Sequence, residues 1–134
     1  MSVVIAFIAD GEGRLLITQR ALDSLYGGYW ELPGGKIEEG ETSLEALTRE
    51  IEEELGLLVD KAELFASLDH GFVFYLYHVQ AYRGELSLNV NQISSKWILK
   101  DEIKTFRFPE TNEKFFDAWF KYLEFHNSHI NHKI

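Results

Sequence analysis

Three glutamates lie close together in one short segment, and their spacing could support metal chemistry. Glu50, Glu53 and Glu54 fall on one flank of a helical wheel at ~100° per residue. Their mutual repulsion costs an isolated helix about 0.2–0.5 kcal/mol per pair, so solvent or a cation must relieve it. Magnesium suits that role because it takes oxygen ligands and is often completed by substrate phosphates. A solvated helix face is the alternative interpretation, and we expect it for Glu45 and Glu52.

These glutamates need a helix to hold them in position, and the sequence predicts one. Apolar side chains recur at three- and four-residue intervals, at Leu44, Leu47, Ile51 and Leu55. The pattern predicts an amphipathic helix over residues 43–55. Thr42 and Glu45 match a capping box at its start, and Gly56 suits the C-terminal cap.

The rest of the chain mixes strands and a second helix. Residues 2–9 and 15–18 flank turn-forming residues, which predicts a hairpin. Runs rich in aromatic and branched residues predict strands over residues 64–68, 72–82 and 97–99. Residues 113–125 predict a second amphipathic helix, followed by a frayed polar tail. We expect an α+β fold with a mixed β-sheet between two α-helices.

Three histidines recur every three residues near the end of the chain, at His126, His129 and His132. They could chelate a metal, but a polar tail is the simpler interpretation. His70 and His78 lie in or beside predicted strands, and we expect them to be structural.

Length and composition bound the remaining possibilities. The 134 residues contain no obvious linker, so we expect one domain over residues 1–134. No apolar run approaches the ~20 residues that cross a bilayer, and no export signal is evident, so we expect a soluble, cytoplasmic protein with no membrane partner. A formal charge of -9 disfavours nucleic-acid polymers as partners, whereas cations could bridge a small anion to the protein.

Residues 35–57 match a long and specific pattern of glycine, glutamate, arginine and aliphatic positions. The residues at its fixed positions are Gly35, Glu41, Arg49, Glu50, Ile51, Glu53, Glu54, Gly56 and Leu57. This segment resembles the signature box of the Nudix hydrolases, and residues 30–36 resemble the approach to that box in the MutT-type branch. The resemblance implies a Nudix fold and an enzyme that cleaves a diphosphate linkage in a nucleotide, with Mg²⁺ as cofactor and Mn²⁺ as a possible substitute.

The resemblance also implies roles for individual residues. The implied metal ligands are the carbonyl oxygen of Gly34 and the carboxylates of Glu50, Glu53 and Glu54. Glu53 is the best candidate for the base that takes a proton from a metal-bound water. Glu50 and Arg49 complete the catalytic group, since Arg49 would orient the glutamates by ion pairing. The structural positions of the box are Gly35, Gly56 and Glu41, which would brace the loop.

One position departs from the MutT-type pattern. Members of that branch often carry an acidic residue immediately before the tryptophan that follows the box, and here Lys96 precedes Trp97. The departure puts in doubt an additional base or metal ligand from that loop. Asp101 or Glu102 could substitute, and Lys96 could instead contact a substrate phosphate.

Four residues are candidates for substrate binding: Arg20, Leu32, Lys36 and Asn112. Asn112 matches a base-reading asparagine by position, and its amide suits the edge of an oxidised guanine. It could equally cap the following helix. Arg20 matches a substrate contact, with a surface ion pair as the alternative, and Leu32 stands where the branch often has an aromatic residue. Stacking could instead come from Trp30 or Phe72, although both are also typical core residues.

The resulting functional hypothesis is hydrolysis of 8-oxo-dGTP to 8-oxo-dGMP and pyrophosphate, which removes mutagenic precursors and so serves DNA repair. Other Nudix substrates are the nearest alternatives, namely a pyrimidine triphosphate, a dinucleoside polyphosphate or a nucleotide sugar. A noncatalytic nucleotide sensor is an alternative of another class. We expect a small-molecule nucleotide as partner, and either a monomer or a homodimer.

Overall fold

The computed structural model describes the backbone of residues 1–131 and the side chains of residues 1–126. The strands are β1 (Ser2–Ile8), β2 (Leu15–Arg20), β3 (Trp30–Glu31), β4 (Gly34–Lys36), β5 (Leu58–His70), β6 (Phe72–Arg83) and β7 (Gln92–Ile98). The helices are α1 (Ser43–Leu55), a 3-10 helix (Lys100–Thr105) and α2 (Asn112–Asn131). In this part of the chain, neither α-helix is both long and apolar enough to cross a membrane.

The strands form two sheets. The larger is a mixed sheet in the order β4-β1-β6-β5, in which β1 runs parallel to β6. The smaller is an antiparallel sheet in the order β3-β2-β7. The predicted α+β class is confirmed, and the second sheet is an addition to the prediction of one mixed sheet.

The predicted hairpin between the first two strands is wrong. Both edges of β1 are occupied, by β4 and by β6, so β2 cannot extend the same sheet. The isolated bridge between Ala9 and Leu15 joins the two strands at the turn. Asp10 shapes that turn by accepting hydrogen bonds from the backbone N–H groups of Glu12 and Arg14, both at 2.9 Å.

The larger sheet lies between the two helices, because β1 alternates its side chains between two cores. Val4, Ala6 and Ile8 pack on the side of α1, whose buried residues are Ala46, Leu47, Ile51 and Leu55. Ile5 and Phe7 pack on the side of α2, against Phe116 and Trp119. The layer arrangement agrees with the predicted sheet between helices.

Helix α1 has the bounds that its sequence predicts, and both of its ends are capped. The Thr42 hydroxyl accepts from Glu45 N at 3.1 Å, and Thr42 N donates to the Glu45 carboxylate at 2.9 Å. At the other end, Gly56 adopts a left-handed conformation with φ 69°, which a glycine reaches without the steric penalty of a side chain. Leu44 departs from the predicted stripe, since it is 47% exposed.

Several other elements are longer than predicted. Strand β5 spans Leu58–His70 and carries charged residues because it is an edge strand, paired with β6 and otherwise open to solvent. Helix α2 continues to Asn131, beyond its predicted end at residue 125. His126 stacks on Tyr122. The side chain of His129 and all of His132 lie outside the described residues.

Candidate active site

The two glycines of β4 let its backbone lie against β1 and α1. Gly34 pairs with Ile5 and has φ 154°, and a Cβ there would collide with the carbonyl oxygen of Val4. A Cβ on Gly35 would overlap the carboxylate of Glu50. The missing side chain of Gly34 therefore lets β4 lie against the backbone of β1, and that of Gly35 leaves room for the Glu50 carboxylate of α1.

Arg49 ties the loop before α1 to the glutamates on the helix. Its Nε and Nη2 donate to the two carboxylate oxygens of Glu41 at 2.7 and 2.9 Å. Its Nη1 donates to Glu50 at 2.9 Å and to Glu53 at 3.3 Å, and its Nη2 also reaches the Lys36 carbonyl at 3.0 Å. The hydrogen bonds from Arg49 lower the pKa of Glu41 to about 2, so Glu41 stays charged at neutral pH.

Glu54 is a half-buried acid near the end of α1. Burial raises its pKa to about 8, even though Gly34 N donates to its Oε2 at 3.3 Å. The charges of Glu31 and Glu50 add to the effect. Burial likewise raises the pKa of Glu50, against the influence of Arg49. These acids are therefore held near one another in surroundings that penalise their negative charge.

This donor set fits a hard divalent cation, since a cation would relieve the repulsion and replace the solvation that burial removes. The geometry is not preformed. Among the described residues, no three acidic, histidine or cysteine side chains already stand together as a metal site. Glu50 and Glu53 turn towards Arg49 instead, so metal binding would require their carboxylates to reorient.

A cavity of about 330 Å³, here called the Glu54 cavity, opens beside β4 and α1. Three of the four predicted substrate residues line it: Arg20, Leu32 and Lys36. The other lining residues are Val3, Ile5, Ser24, Glu31, Gly34, Gly35, Glu54, Asn91 and Gln92. The structure thus brings the predicted substrate residues together with two of the predicted metal ligands.

Arg20 takes part both in the cavity and in an ion pair. Its Nη1 donates to the carboxylate of Glu31 at 3.1 Å, and its Nε donates to the Leu25 carbonyl at 2.8 Å. Burial raises the pKa of Glu31, and the charge of Arg20 opposes that shift. The two interpretations of Arg20 are therefore compatible, since the ion pair fixes the guanidinium at the cavity wall.

Asn112 is the predicted substrate residue that the structure does not bring to this cavity. It is 7% exposed and begins α2, where its backbone N–H donates to the Pro109 carbonyl at 3.0 Å. Neither of the two aromatic residues considered for stacking lines the cavity. Trp30 packs edge-on against Phe106, and Phe72 packs edge-on against Phe74.

The loop that departs from the MutT-type pattern has other contacts. The Lys96 ammonium lies 5.6 Å from the centre of the Phe106 ring. Glu102 accepts from Leu99 N at 2.8 Å and so caps the 3-10 helix, while Asp101 is exposed. No contact described here ties Asp101 or Glu102 to the glutamates of α1.

Among the cavity residues that the sequence analysis did not single out are Glu31 and Gln92. Glu31 precedes the Leu-Pro-Gly-Gly bend, and its acidic side chain beside a glycine-rich loop was a usable signal. Gln92 is 8% exposed, and its Oε1 is buried without a hydrogen-bond partner. Its sequence neighbourhood carries no motif, so only the fold reveals it.

Comparison with known proteins identifies relatives along most of the chain. A family model described as NUDIX domain matches residues 1–127. The 8-oxo-dGTP diphosphatase of Escherichia coli (strain K12) is 30% identical over 118 residues, which are 84% of this chain and 91% of that protein. The CTP pyrophosphohydrolase of the same strain is 36% identical over 97 residues, covering 69% of this chain and 72% of that protein.

A further relative and a solved structure agree with these matches. The 8-oxo-dGTP diphosphatase of Proteus vulgaris is 40% identical over 72 residues, and the match spans 54% of this chain and 64% of that protein. A structure from a study of MutT from Aliivibrio salmonicida and Vibrio cholerae has a TM-score of 0.75 at 32% identity. It covers 84% of this chain and 90% of that one. The predicted Nudix fold is therefore confirmed.

Proposed function

The chain belongs to the Nudix family of hydrolases, and from that premise we propose that it is a magnesium-dependent enzyme that hydrolyses 8-oxo-dGTP to 8-oxo-dGMP and pyrophosphate. The observation that carries this proposal is the Glu54 cavity, which cationic Arg20 and Lys36 line together with the carboxyl group of Glu54. A polyphosphate held by cations needs such a mixture of positive side chains and metal-binding acids.

In this mechanism the chain's own residues bind and orient the reactants. Glu50, Glu53, Glu54 and the Gly34 carbonyl would hold the metal, and a bound divalent ion would neutralise phosphate charge and lower the pKa of a coordinated water. Glu53 accepts the proton from the attacking water. It suits that role because its side chain is 57% exposed and can reach solvent.

Arg49 and the cationic cavity residues act through charge and position. Arg49 holds Glu50 and Glu53 beside Lys36, the last residue of β4. Lys36 and Arg20 contact phosphate oxygens and offset the net charge of -9 that would otherwise repel the substrate. Water adds across one phosphoanhydride bond, and the products are a nucleoside monophosphate and pyrophosphate.

The test is product analysis after incubation with Mg²⁺ and a panel of nucleoside triphosphates, 8-oxo-dGTP, dinucleoside polyphosphates and nucleotide sugars. Preferential release of 8-oxo-dGMP and pyrophosphate supports the proposal. Preference for another nucleotide contradicts the substrate and leaves the hydrolase mechanism intact. Turnover of none of these compounds would favour a nucleotide sensor.

CTP is the second candidate substrate, for two reasons. One relative is named a CTP pyrophosphohydrolase and is 36% identical. In addition, Leu32 lines the cavity at the position where the MutT-type branch often has an aromatic residue. A leucine offers no ring on which a purine base could stack. The same panel separates the candidates through the ratio of kcat/KM for CTP and 8-oxo-dGTP.

Asn112 remains part of the proposal as the residue that reads the base. Asn112 does not line the Glu54 cavity, and a substitution tests its role directly. Asn112→Ala should raise KM about 10-fold or more for guanine nucleotides and less for pyrimidine nucleotides, as expected for one lost buried hydrogen bond. Equal losses for all nucleotides, or a loss of thermal stability alone, would show instead that Asn112 has a structural role at the start of α2.

A further inference from the structure

The loop between β6 and β7, residues 84–91, closes the C-terminal end of α1. The last four carbonyl groups of an α-helix lack partners within the helix. In α1 the first and the last of these four accept from the backbone N–H groups of Gly56 and Ser87, at 2.9 and 2.8 Å. The two between them belong to Glu53 and Glu54, which are two of the proposed metal ligands.

Asn89 donates to both of these carbonyl groups. Its side-chain Nδ2 donates to the Glu53 carbonyl at 3.2 Å, and its backbone N–H donates to the Glu54 carbonyl, also at 3.2 Å. Its Oδ1 accepts from Asn91 N at 2.8 Å, which orients the amide with its NH₂ group towards the helix. Leu88 packs against the core on the side of α1 and anchors the loop. Asn89 is thereby held at a set position relative to the acidic helix.

The last turn of α1 needs external support because its own charges oppose it. The turn consists of Glu52, Glu53, Glu54 and Leu55, so three glutamates lie at the negative end of the helix dipole, where negative charge is unfavourable. A helix end of this kind frays readily unless its carbonyl groups are held by donors. Fraying would displace the side chains of Glu53 and Glu54, whereas Mg²⁺ demands near-ideal octahedral geometry from its ligands.

We infer that Asn89 is a positioning residue, which holds the last turn of α1 so that Glu53 and Glu54 can bind one divalent cation together. The inference rests on the proposed function, because it requires these two glutamates to be metal ligands. Residues that fix metal ligands from behind typically contribute about 10–100-fold to metal affinity or activity. Asn89 acts through the backbone of the two ligands and not through contact with the metal or the substrate.

The test compares Asn89→Ala with the wild type and with Thr42→Ala. Each variant removes a side-chain hydrogen bond from one end of α1, at the C-terminal end for Asn89 and at the N-terminal end for Thr42. Both variants should therefore lose stability, which thermal unfolding measures. The first readout is binding of Mn²⁺ to the protein without nucleotide, measured by EPR. The second is the Mg²⁺ concentration that gives half-maximal kcat/KM on the best wild-type substrate.

We expect Asn89→Ala to bind Mn²⁺ about 10-fold more weakly than the wild type and to require correspondingly more Mg²⁺ for half-maximal kcat/KM. Thr42→Ala should bind Mn²⁺ as the wild type does, because the N-terminal end of α1 carries neither Glu53 nor Glu54. Wild-type affinity in Asn89→Ala, or an equal loss in Thr42→Ala, would overturn the inference. A wild type that neither binds Mn²⁺ nor hydrolyses a nucleotide would instead contradict the proposed function, and the role of Asn89 would fall with it.

A second pair of variants separates position from charge. Asn89→Asp keeps the size of the side chain and the acceptor for Asn91 N, but it turns a carboxylate oxygen towards the Glu53 carbonyl, where two acceptors repel each other. Val90→Asp adds the same charge to the same loop at a side chain that is 91% exposed. An added negative charge by itself attracts a cation, so Val90→Asp should bind Mn²⁺ as well as the wild type or more tightly, whereas Asn89→Asp should bind it more weakly. Tighter binding in both variants would show that charge decides the affinity and would contradict the positioning role.

Discussion

The two helices that cover the larger sheet differ in how they are held and in what they carry. Helix α1 buries aliphatic side chains and has side-chain or glycine caps at both ends. Helix α2 buries large aromatic side chains, among them Phe116 and Trp119. Arg49 and the predicted metal-binding glutamates belong to α1, whereas no described residue of α2 lines the Glu54 cavity. A helix defined by local signals can present charged groups at set positions, while a helix held by its packing mainly contributes stability.

The largest expected effect that would test this division is a loss of catalytic rate when a glutamate of α1 is replaced. Glu53→Gln should lower kcat by about 10²–10⁴-fold, because an amide cannot take the proton from water and is a weaker metal ligand. Its Tm should stay within a few degrees of the wild-type value, since Glu53 is mostly exposed.

Glu52→Gln is the matched control for that variant, because Glu52 is an exposed glutamate beside Glu53 on the opposite flank of the same helix. Steady-state kinetics with Mg²⁺ should show near-normal turnover for Glu52→Gln. Near-normal turnover in Glu53→Gln as well would remove Glu53 from the catalytic group.

The next largest effect should be a loss of stability when a buried aromatic residue of α2 is replaced. Trp119 is 3% exposed and stacks on Phe7 with ring centres 4.9 Å apart. Trp119→Ala should lower the free energy of unfolding by about 3–5 kcal/mol, measured by chemical denaturation. The kcat of the folded fraction should remain close to normal, and Trp119→Phe should recover part of the stability. A large fall in kcat at full folding would mean that α2 takes part in the chemistry.

A smaller effect is expected at the start of α1. Thr42→Ala removes the side-chain cap that accepts from Glu45 N, and should cost about 0.5–2 kcal/mol of stability. Thr48→Ala is the comparison, because the Thr48 hydroxyl contacts the Leu44 carbonyl within the helix and alanine is a better helix former. Denaturant titration should find Thr48→Ala neutral or slightly stabilising. Equal losses in both variants would contradict the capping role.

The smallest expected effect is a pH dependence of stability that arises on the side of the larger sheet that faces α2. Burial lowers the pKa of His78, whose Nδ1 lies 2.8 Å from the Tyr122 hydroxyl, although the charge of Glu63 opposes that shift. The folded state therefore disfavours the protonated ring, and stability should fall as the pH drops below about 6.5, where the unfolded chain takes up the proton.

His78→Gln should flatten this dependence between about pH 7 and pH 5, which chemical denaturation at several pH values would measure. Tyr122→Phe removes the hydroxyl partner and keeps the histidine, so the slope with pH should persist in that variant. An unchanged slope in His78→Gln would assign the pH dependence to other groups.

Prediction from sequence succeeded where the signals were local. The capping residues and the apolar spacing set the bounds of α1, and the constrained pattern of residues 35–57 indicated the family. It failed where a partner distant in the chain decides the outcome. Two extended segments joined by a turn predict a hairpin, but the pairing of β1 with β4 and β6 depends on segments that lie further along the chain. The length of β5 was missed because an edge strand tolerates charged residues that mask its pattern.

The candidate site divides in the same way. Because residue types and helical periodicity are properties of the chain itself, the sequence alone determined which glutamates share one flank of α1 and that Arg49 lies among them. Only the tertiary structure decided that Arg20, Leu32 and Lys36 meet Glu54 in one cavity, that Asn112 lies outside it, and that Gln92 is buried there without a partner. Burial, cavity shape and pKa depend on atoms brought together from distant segments, and no local pattern encodes them.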